Sequence, residues 1–167
     1  MRGLCWVYHF ALLAEIFGDK IVLPGVRTKN SRDHIVPLSE PAQAILAGRP
    51  RMGSKFVFGR GALRGFTGWS ATKVLIDARI KSAGAKVAPW TNHDLRRTVA
   101  TMMAESGVAP HIVEAVLNHV SGHKHGVAGI YNRASYENEK RAALTLWADK
   151  LLEIVEGRAR KVVSLRA

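Results

Sequence analysis

Apolar positions change their period several times along this chain, and each change marks an element. Residues 4–17 form an apolar run broken by His9 and Glu15, which reads as a helix buried in the molecule or facing a partner. From Lys20 the pattern switches to two β-branched runs, Ile21-Val22-Leu23 and His34-Ile35-Val36-Pro37-Leu38, around the polar segment Arg27-Thr28-Lys29-Asn30-Ser31-Arg32. That arrangement predicts a β-hairpin. Ser39 is placed to cap a short helix over 40–46, with Pro41 in its first turn. Residues 49–65 are a Gly- and Arg-rich connection enclosing a short strand, Phe56-Val57-Phe58. A helix over 69–83 follows, with Leu75, Ile76 and Ile80 inward and Gly84 as its stop.

The organising stretch is 91–133. Thr91 or Asn92 caps a helix whose first turn holds Asp94 at the positive end of the dipole, and Gly107 suits the left-handed residue past its end. At 100° per residue, His93, Arg96, Arg97 and Ala100 share one face, and Leu95, Val99 and Met102 lie roughly opposite. One side is therefore expected to be core and the other chemistry. Pro110 opens a second helix with Ile112, Val113, Val116 and Leu117 as its buried stripe, and its end delivers Asn118 and His119. A loop with Gly122, Gly126 and Gly129 leads to Ile130-Tyr131-Asn132-Arg133. Ser135 is placed to cap a last helix to Glu156, with Tyr136, Ala143, Trp147, Leu151 and Ile154 as an apolar stripe and Gly157 as its end.

Length and charge narrow the partner. At 167 residues the chain suits one domain with its own core. Lysine and arginine outnumber acids 25 to 13, a formal charge of +12, and such an excess favours a polyanion, nucleic acid first. Charge alone leaves a merely soluble basic protein equally open. The single cysteine, Cys5, excludes an intrachain disulfide and fits a reducing cytoplasm. The run at 4–17 is shorter than a spanning helix and lacks a small-x-small cleavage site, so neither export nor a membrane partner is expected.

Three motifs then converge. His93-x-x-Arg96 within HDLRRT, Leu117-Asn118-His119 followed by Ser121-Gly122, and Tyr131-Asn132-Arg133 occur in an order and spacing that resembles the catalytic domain of the tyrosine recombinases, the phage integrase family. The similarity covers about residues 21–156. It implies an α+β, mainly α fold, the tyrosine-recombinase (DNA breaking-rejoining enzyme) catalytic domain: a helical bundle with a small β-hairpin or sheet. The expected layout is a catalytic domain over 1–157 and a basic tail over 158–167, without the family's N-terminal core-binding domain.

The resemblance also implies roles. Tyr131 is the nucleophile that forms a 3′-phosphotyrosyl link, and Arg96 and His93 are the family's arginine-histidine pair. His119 is its second histidine. Lys29 matches the hairpin lysine that protonates the leaving 5′ oxygen. Arg27, Arg32, Arg97 and Arg133 are candidate DNA contacts. The implied partner is double-stranded DNA, with a tetramer at synapsis for the full-length protein. No nucleotide cofactor is required, because the protein link conserves the phosphodiester energy, and no metal is implied, since no carboxylate cluster suits a two-metal nuclease.

Each residue also has a plainer reading. His93 can cap its helix, Arg96 can be an exposed neighbour of Asp94, Arg97 can exchange roles with Arg96, and Lys29 can be a solvated turn residue. Tyr131 can be a packing aromatic. Tyr136 is the nearby rival nucleophile, and its place in the last helix's stripe assigns it to the core. His119, His123 and His125 could gather a metal, but the glycine-rich loop gives no rigid geometry. Arg49, Arg51, Lys55, Arg60 and Arg64 suit either phosphate contacts or a solvated loop. No counterpart of the family's Thr-Gly-x-Arg motif is found, since Arg2 stands in an Arg-Gly-Leu context. That departure raises a second expectation, a truncated or decayed integrase remnant that binds DNA without catalysis. A type IB topoisomerase would share the chemistry, but HDLRRT and Tyr-Asn-Arg resemble integrases more closely.

Overall fold

The computed structural model describes residues 12–50, 55–59, 65–119 and 134–157. Within them lie five α-helices and a three-stranded antiparallel sheet. Gly18, with φ of +58°, turns the end of the N-terminal apolar run back on itself. Strand β1 (Ile16–Phe17) thereby pairs with β2 (Lys20–Leu23), setting Ile16 opposite Ile21. Ahead of it Leu13–Glu15 is a single 3-10 turn. The helix expected over 4–17 is therefore wrong for 12–17, while 4–11 lie outside the described residues. Glu15 is the physical reason: its buried carboxylate accepts the Leu12 N–H at 2.8 Å and pairs with Arg27, which fixes a tight turn in place of a helix.

Strand β2 continues into β3 (His34–Pro37), with Ile21 opposite Val36 and Leu23 opposite His34. This is the expected hairpin. Alternation turns Ile21 and Leu23 inward, where Leu38, Ile16 and Val36 meet Ala42 and Leu46 of α1 (Glu40–Ala47). Helix α1 has Pro41 in its first turn, and Ser39 holds its N-cap position without a capping side-chain bond. The short strand expected at 56–58 reduces to one bridge between Leu12 and Phe56, with Val57 buried beside it.

A second core joins α3 (Asn92–Glu105), α4 (Pro110–Val116) and α5 (Glu137–Glu156). Met103, Ile112, Val113, Val116 and Ala143 are its buried residues, with Val99, Tyr136, Leu144 and Trp147 packed around them. Helix α3 begins with a capping box, in which Thr91 and Asp94 satisfy one another's backbone N–H groups, and Gly107 follows its end at φ +85°. Helix α5 starts at a left-handed Tyr136 with no side-chain cap, so the cap expected from Ser135 does not form. Its stripe is half covered. Tyr136, Ala143 and Trp147 pack inward, while Leu151 and Ile154 are exposed.

Helix α5 also ties the two cores together. Lys140, 4% exposed, donates from Nζ to the Ile35 carbonyl of β3 at 2.6 Å. Lys20 meets Glu137 at 3.0 Å, and Arg141 meets Asp19 at 2.8 Å. Helix α2 (Trp69–Ser82) is different. None of its residues is buried, and Leu75, expected inward, is 64% exposed, with Ile76 exposed as well and Ile80 half-buried. Its apolar residues are spread round the helix rather than gathered in a stripe, and no described element covers them.

Candidate functional site

Three consecutive residues at the end of α4 collect the long-range contacts of the site. His34, at the start of β3, lies close enough to the Val116 backbone for that group to raise its pKa. Arg96, on α3, donates from an Nη to the Leu117 carbonyl at 2.5 Å. Asn30, in the hairpin turn, donates from Nδ2 to Asn118 Oδ1 at 2.8 Å. Sheet, helix and turn thus meet on Val116, Leu117 and Asn118. Such a junction is available because the last carbonyls of a helix lack partners within it.

Arg96 reaches this junction from an unexpected side. The buried stripe of α3 is Val99, Ala100 and Met103, and Arg96 continues it by three and four residues, while Leu95 is 57% exposed. The expected core face of Leu95, Val99 and Met102 is thus turned by about one residue, roughly 100°. The cause is the position of α4 and α5, which close over the Met103 side. A long side chain can lie along such a face with its methylenes while its polar head finds a carbonyl, as Arg96 does.

The hairpin turn is tightly held. The Gly25 N–H donates to Asp33 Oδ1 at 2.7 Å, and Thr28, buried, sets its hydroxyl 2.7 Å from the Arg32 carbonyl and 3.1 Å from the Arg32 N–H. A side chain on Gly25 would place Cβ 2.6 Å from the Ser31 carbonyl oxygen, so only glycine fits. Ser31 takes φ of +54° to close the turn. Lys29 stands exposed at the tip between these anchors.

The other candidates fall into distinct settings. His93, exposed in the first turn of α3, lies one turn before Arg96. His119, exposed, follows Asn118, whose left-handed φ of +50° swings the chain off the helix. Arg97 is mostly exposed and 3.3 Å from Asp94, and Arg32 is exposed on the turn. Arg27 is engaged with the buried Glu15, an ion pair that fastens the turn to the segment before β1. Tyr131 and Arg133 lie outside the described residues, as do His123 and His125. Tyr136 packs against the α3–α5 core, its ring centroid 5.3 Å from that of His111, as its place in the stripe predicts.

Electrostatics around the junction are cationic. His34 is 5% exposed, and its Nε2 has no hydrogen-bond partner among the described residues. Burial, followed by the charge of Lys140 and then that of Arg96, pushes its pKa down to about 4, against the opposing effect of the Val116 backbone. The ring is therefore neutral at pH 7. A histidine that two neighbouring cations help to keep neutral reports a positive potential, which favours an anion such as a phosphate. At the start of α3, the Thr91 side chain and backbone, with Arg97, hold Asp94 below the usual carboxylate range.

His34, Lys140, Asn30, Thr28 and Asn118 were not singled out as site residues from the sequence. A polar residue inside an apolar strand run was the available sign for His34. Nothing in the local pattern ties Asn30 to Asn118, because the bond spans 88 residues.

Residues 15–138 match the family model described as the phage integrase family. Prophage integrase IntA of Escherichia coli (strain K12) is 35% identical over 129 residues, covering 76% of this chain and 30% of IntA. Prophage integrase IntZ of the same strain is 35% identical over 141 residues, covering 82% of this chain and 33% of IntZ. The chain spans about a third of the length of these relatives. No solved structure matches it.

Proposed function

The chain belongs to the phage integrase family, and from that premise we propose that it is the catalytic domain of a site-specific DNA recombinase acting in integration or excision of a mobile element. The observation that supports the reading is that Arg96 and the Lys29 turn both bond the turn that carries His119, at Leu117 and at Asn118. The Arg96 motif and the Lys29 turn, distant in sequence, are each joined by a direct bond to the segment that carries His119.

In this proposal Tyr131 Oη attacks a DNA phosphate, a Tyr–phosphate bond forms, and the bond from phosphorus to the 5′ oxygen breaks. Lys29 Nζ gives its proton to that leaving oxygen. A phenol with an unperturbed pKa near ~10 needs cationic surroundings to act as a nucleophile at neutral pH. Arg96 and the positive potential felt by His34 support such surroundings. Arg96 carries a planar set of donors suited to the non-bridging oxygens, and its bond to Leu117 fixes the plane. His93 and His119 hydrogen-bond the phosphate or carry the phenol's proton away. Arg32, Arg97 and Arg133 contact the DNA backbone. Arg27 acts differently from the other candidates, since its pairing with Glu15 supports a role in holding the turn.

The domain is assigned to residues 1–157, with 158–167 as a basic tail that adds to DNA attraction. The proposed partner is double-stranded DNA in the cytoplasm, bound by an oligomer of the full-length protein. Among the described residues no helix is long and apolar enough to cross a membrane. Trapping on DNA nicked close to the cleavage site tests the reading. A covalent adduct formed by the chain and absent in Tyr131→Phe is the expected result. Salt-sensitive binding without an adduct would instead establish a remnant that binds DNA without cutting it.

A further inference from the structure

The bond between Asn30 and Asn118 does more than close a gap between two turns. Asn118 sits at φ +50°, a conformation glycine enters more easily than any residue with a side chain. Its amide oxygen nevertheless accepts from Asn30, 88 residues earlier. Asn30 is itself oriented from the other end, because its Oδ1 lies 3.2 Å from the Arg32 N–H within the hairpin turn. The amide therefore has one end in the turn and the other on the helix end. Its neighbour Lys29 is the exposed residue at the tip, and the neighbour of Asn118 is His119.

We propose that Asn118 is a positioning residue for Lys29: by clasping Asn30 it holds the hairpin turn against the end of α4, so that the lysine is presented beside the turn that carries His119. The turn has its own internal bonds through Thr28, Gly25 and Asp33. Those bonds set its shape but not where it stands relative to α4. The clasp supplies that placement. Asparagine is a side-chain-bearing residue that tolerates a left-handed helix end, so the φ at 118 admits it, and the bond from Asn30 gives its amide a second use. This inference rests on the reading of Lys29 as the proton donor to the 5′ oxygen.

Two measurements separate the clasp from that reading. In the free chain, Asn118→Gly keeps the left-handed turn and removes the acceptor. Amide ¹⁵N relaxation should then show a loss of order at Lys29 and Asn30, with α3 and the rest of α4 unchanged. Unchanged order at Lys29 would overturn the clasp. The second measurement is the rate of covalent adduct formation on nicked DNA with a bridging 5′ oxygen or a bridging 5′ sulfur at the cleaved bond. A thiolate leaves without a proton, so only the oxygen substrate depends on a positioned acid.

Lys29→Ala should slow the oxygen substrate by about 100-fold and leave the sulfur substrate within about threefold. Asn118→Gly should show the same selectivity at about tenfold, and adding Asn30→Asp, which keeps the oxygen that meets the Arg32 N–H and removes only the Nδ2 donor, should slow it no further, because both changes remove one contact. If Lys29→Ala slows both substrates equally, the proton-donor role falls, and the clasp stands or falls on the relaxation result. If Lys29→Ala is selective while Asn118→Gly slows both substrates alike or neither, the clasp is not what positions the lysine.

Discussion

Helices α2 and α3 have the same length, 14 residues, and opposite fates. Helix α3 opens with a capping box, buries Met103 to 1% exposure and carries Arg96 along the same stripe. Helix α2 has no side-chain cap, buries nothing, and leaves Val74 and Leu75 in solvent. Its polar ties are local. Asp77 pairs with Lys73 at 2.5 Å and accepts the Trp90 indole N–H at 3.0 Å, on the segment that leads into α3. The contrast teaches that apolar residues in a helix are buried where they gather on one side, as in α3, and stay in solvent where they are spread round it, as in α2. It also shows that a long cationic side chain can share the buried side.

The contrast can be broken or sharpened by four changes of decreasing expected effect. Met103→Ala removes the most buried side chain of α3 and should cost about 2–5 kcal/mol in urea-induced unfolding. A loss under about 1 kcal/mol would mean that the α3–α5 core does not depend on that side chain. Acid should act through the same packed region. His34 titrates near 4 when folded and near ~6.5 when unfolded, so between those values the unfolded chain binds a proton that the folded chain excludes. Stability is then full above about pH 6.5 and falls as the pH drops toward 4, by on the order of 3 kcal/mol. His34→Asn should flatten that slope in a pH series of unfolding curves, and an unchanged slope would place the acid sensitivity elsewhere.

A smaller effect belongs to the capping box of α3. Thr91→Ala should lower stability by about 1 kcal/mol, since Thr91 lies 2.8 Å from Asp94 Oδ2 and caps the helix that carries His93 and Arg96. The smallest is on α2, where Leu75→Ala should stay within about 0.5 kcal/mol. A loss as large as that of Met103→Ala would show that α2 has a buried face after all.

Much of the fold was legible because its local signals agree with its packing. The hairpin, the Pro41 and Pro110 helix starts, the Gly107 and Gly157 stops and the stripe Ile112-Val113-Val116 all follow from period and turn chemistry. Several things were not legible, for separate reasons. Residues 12–17 looked helical by apolar content, yet Gly18 and the buried Glu15 make a turn and a strand pairing cheaper than a helix. The core face of α3 was misjudged because a periodicity count treats Arg96 as polar throughout, although most of its length is hydrocarbon. Arg27, expected on DNA, meets a buried acid that local sequence does not bring beside it.

The candidate site was legible as motifs and not as an assembly. His93, Arg96 and His119 were found by their order, and Lys29 by its hairpin. The contacts that join them to the rest run through Asn30, Leu117, Asn118 and His34, which are unremarkable in one dimension. Long-range contacts leave no periodic trace.

The approach of Gly25 to the Ser31 carbonyl carries one last implication. It fixes the circumference of the hairpin tip, because the chain returns onto itself with no room for a single added carbon. The tip is in effect a cassette of set length. Its lettering can be rewritten one residue at a time, at exposed positions such as Val26 or Arg32, without changing that length. Lengthening the loop would instead unseat the ring of contacts that holds it shut.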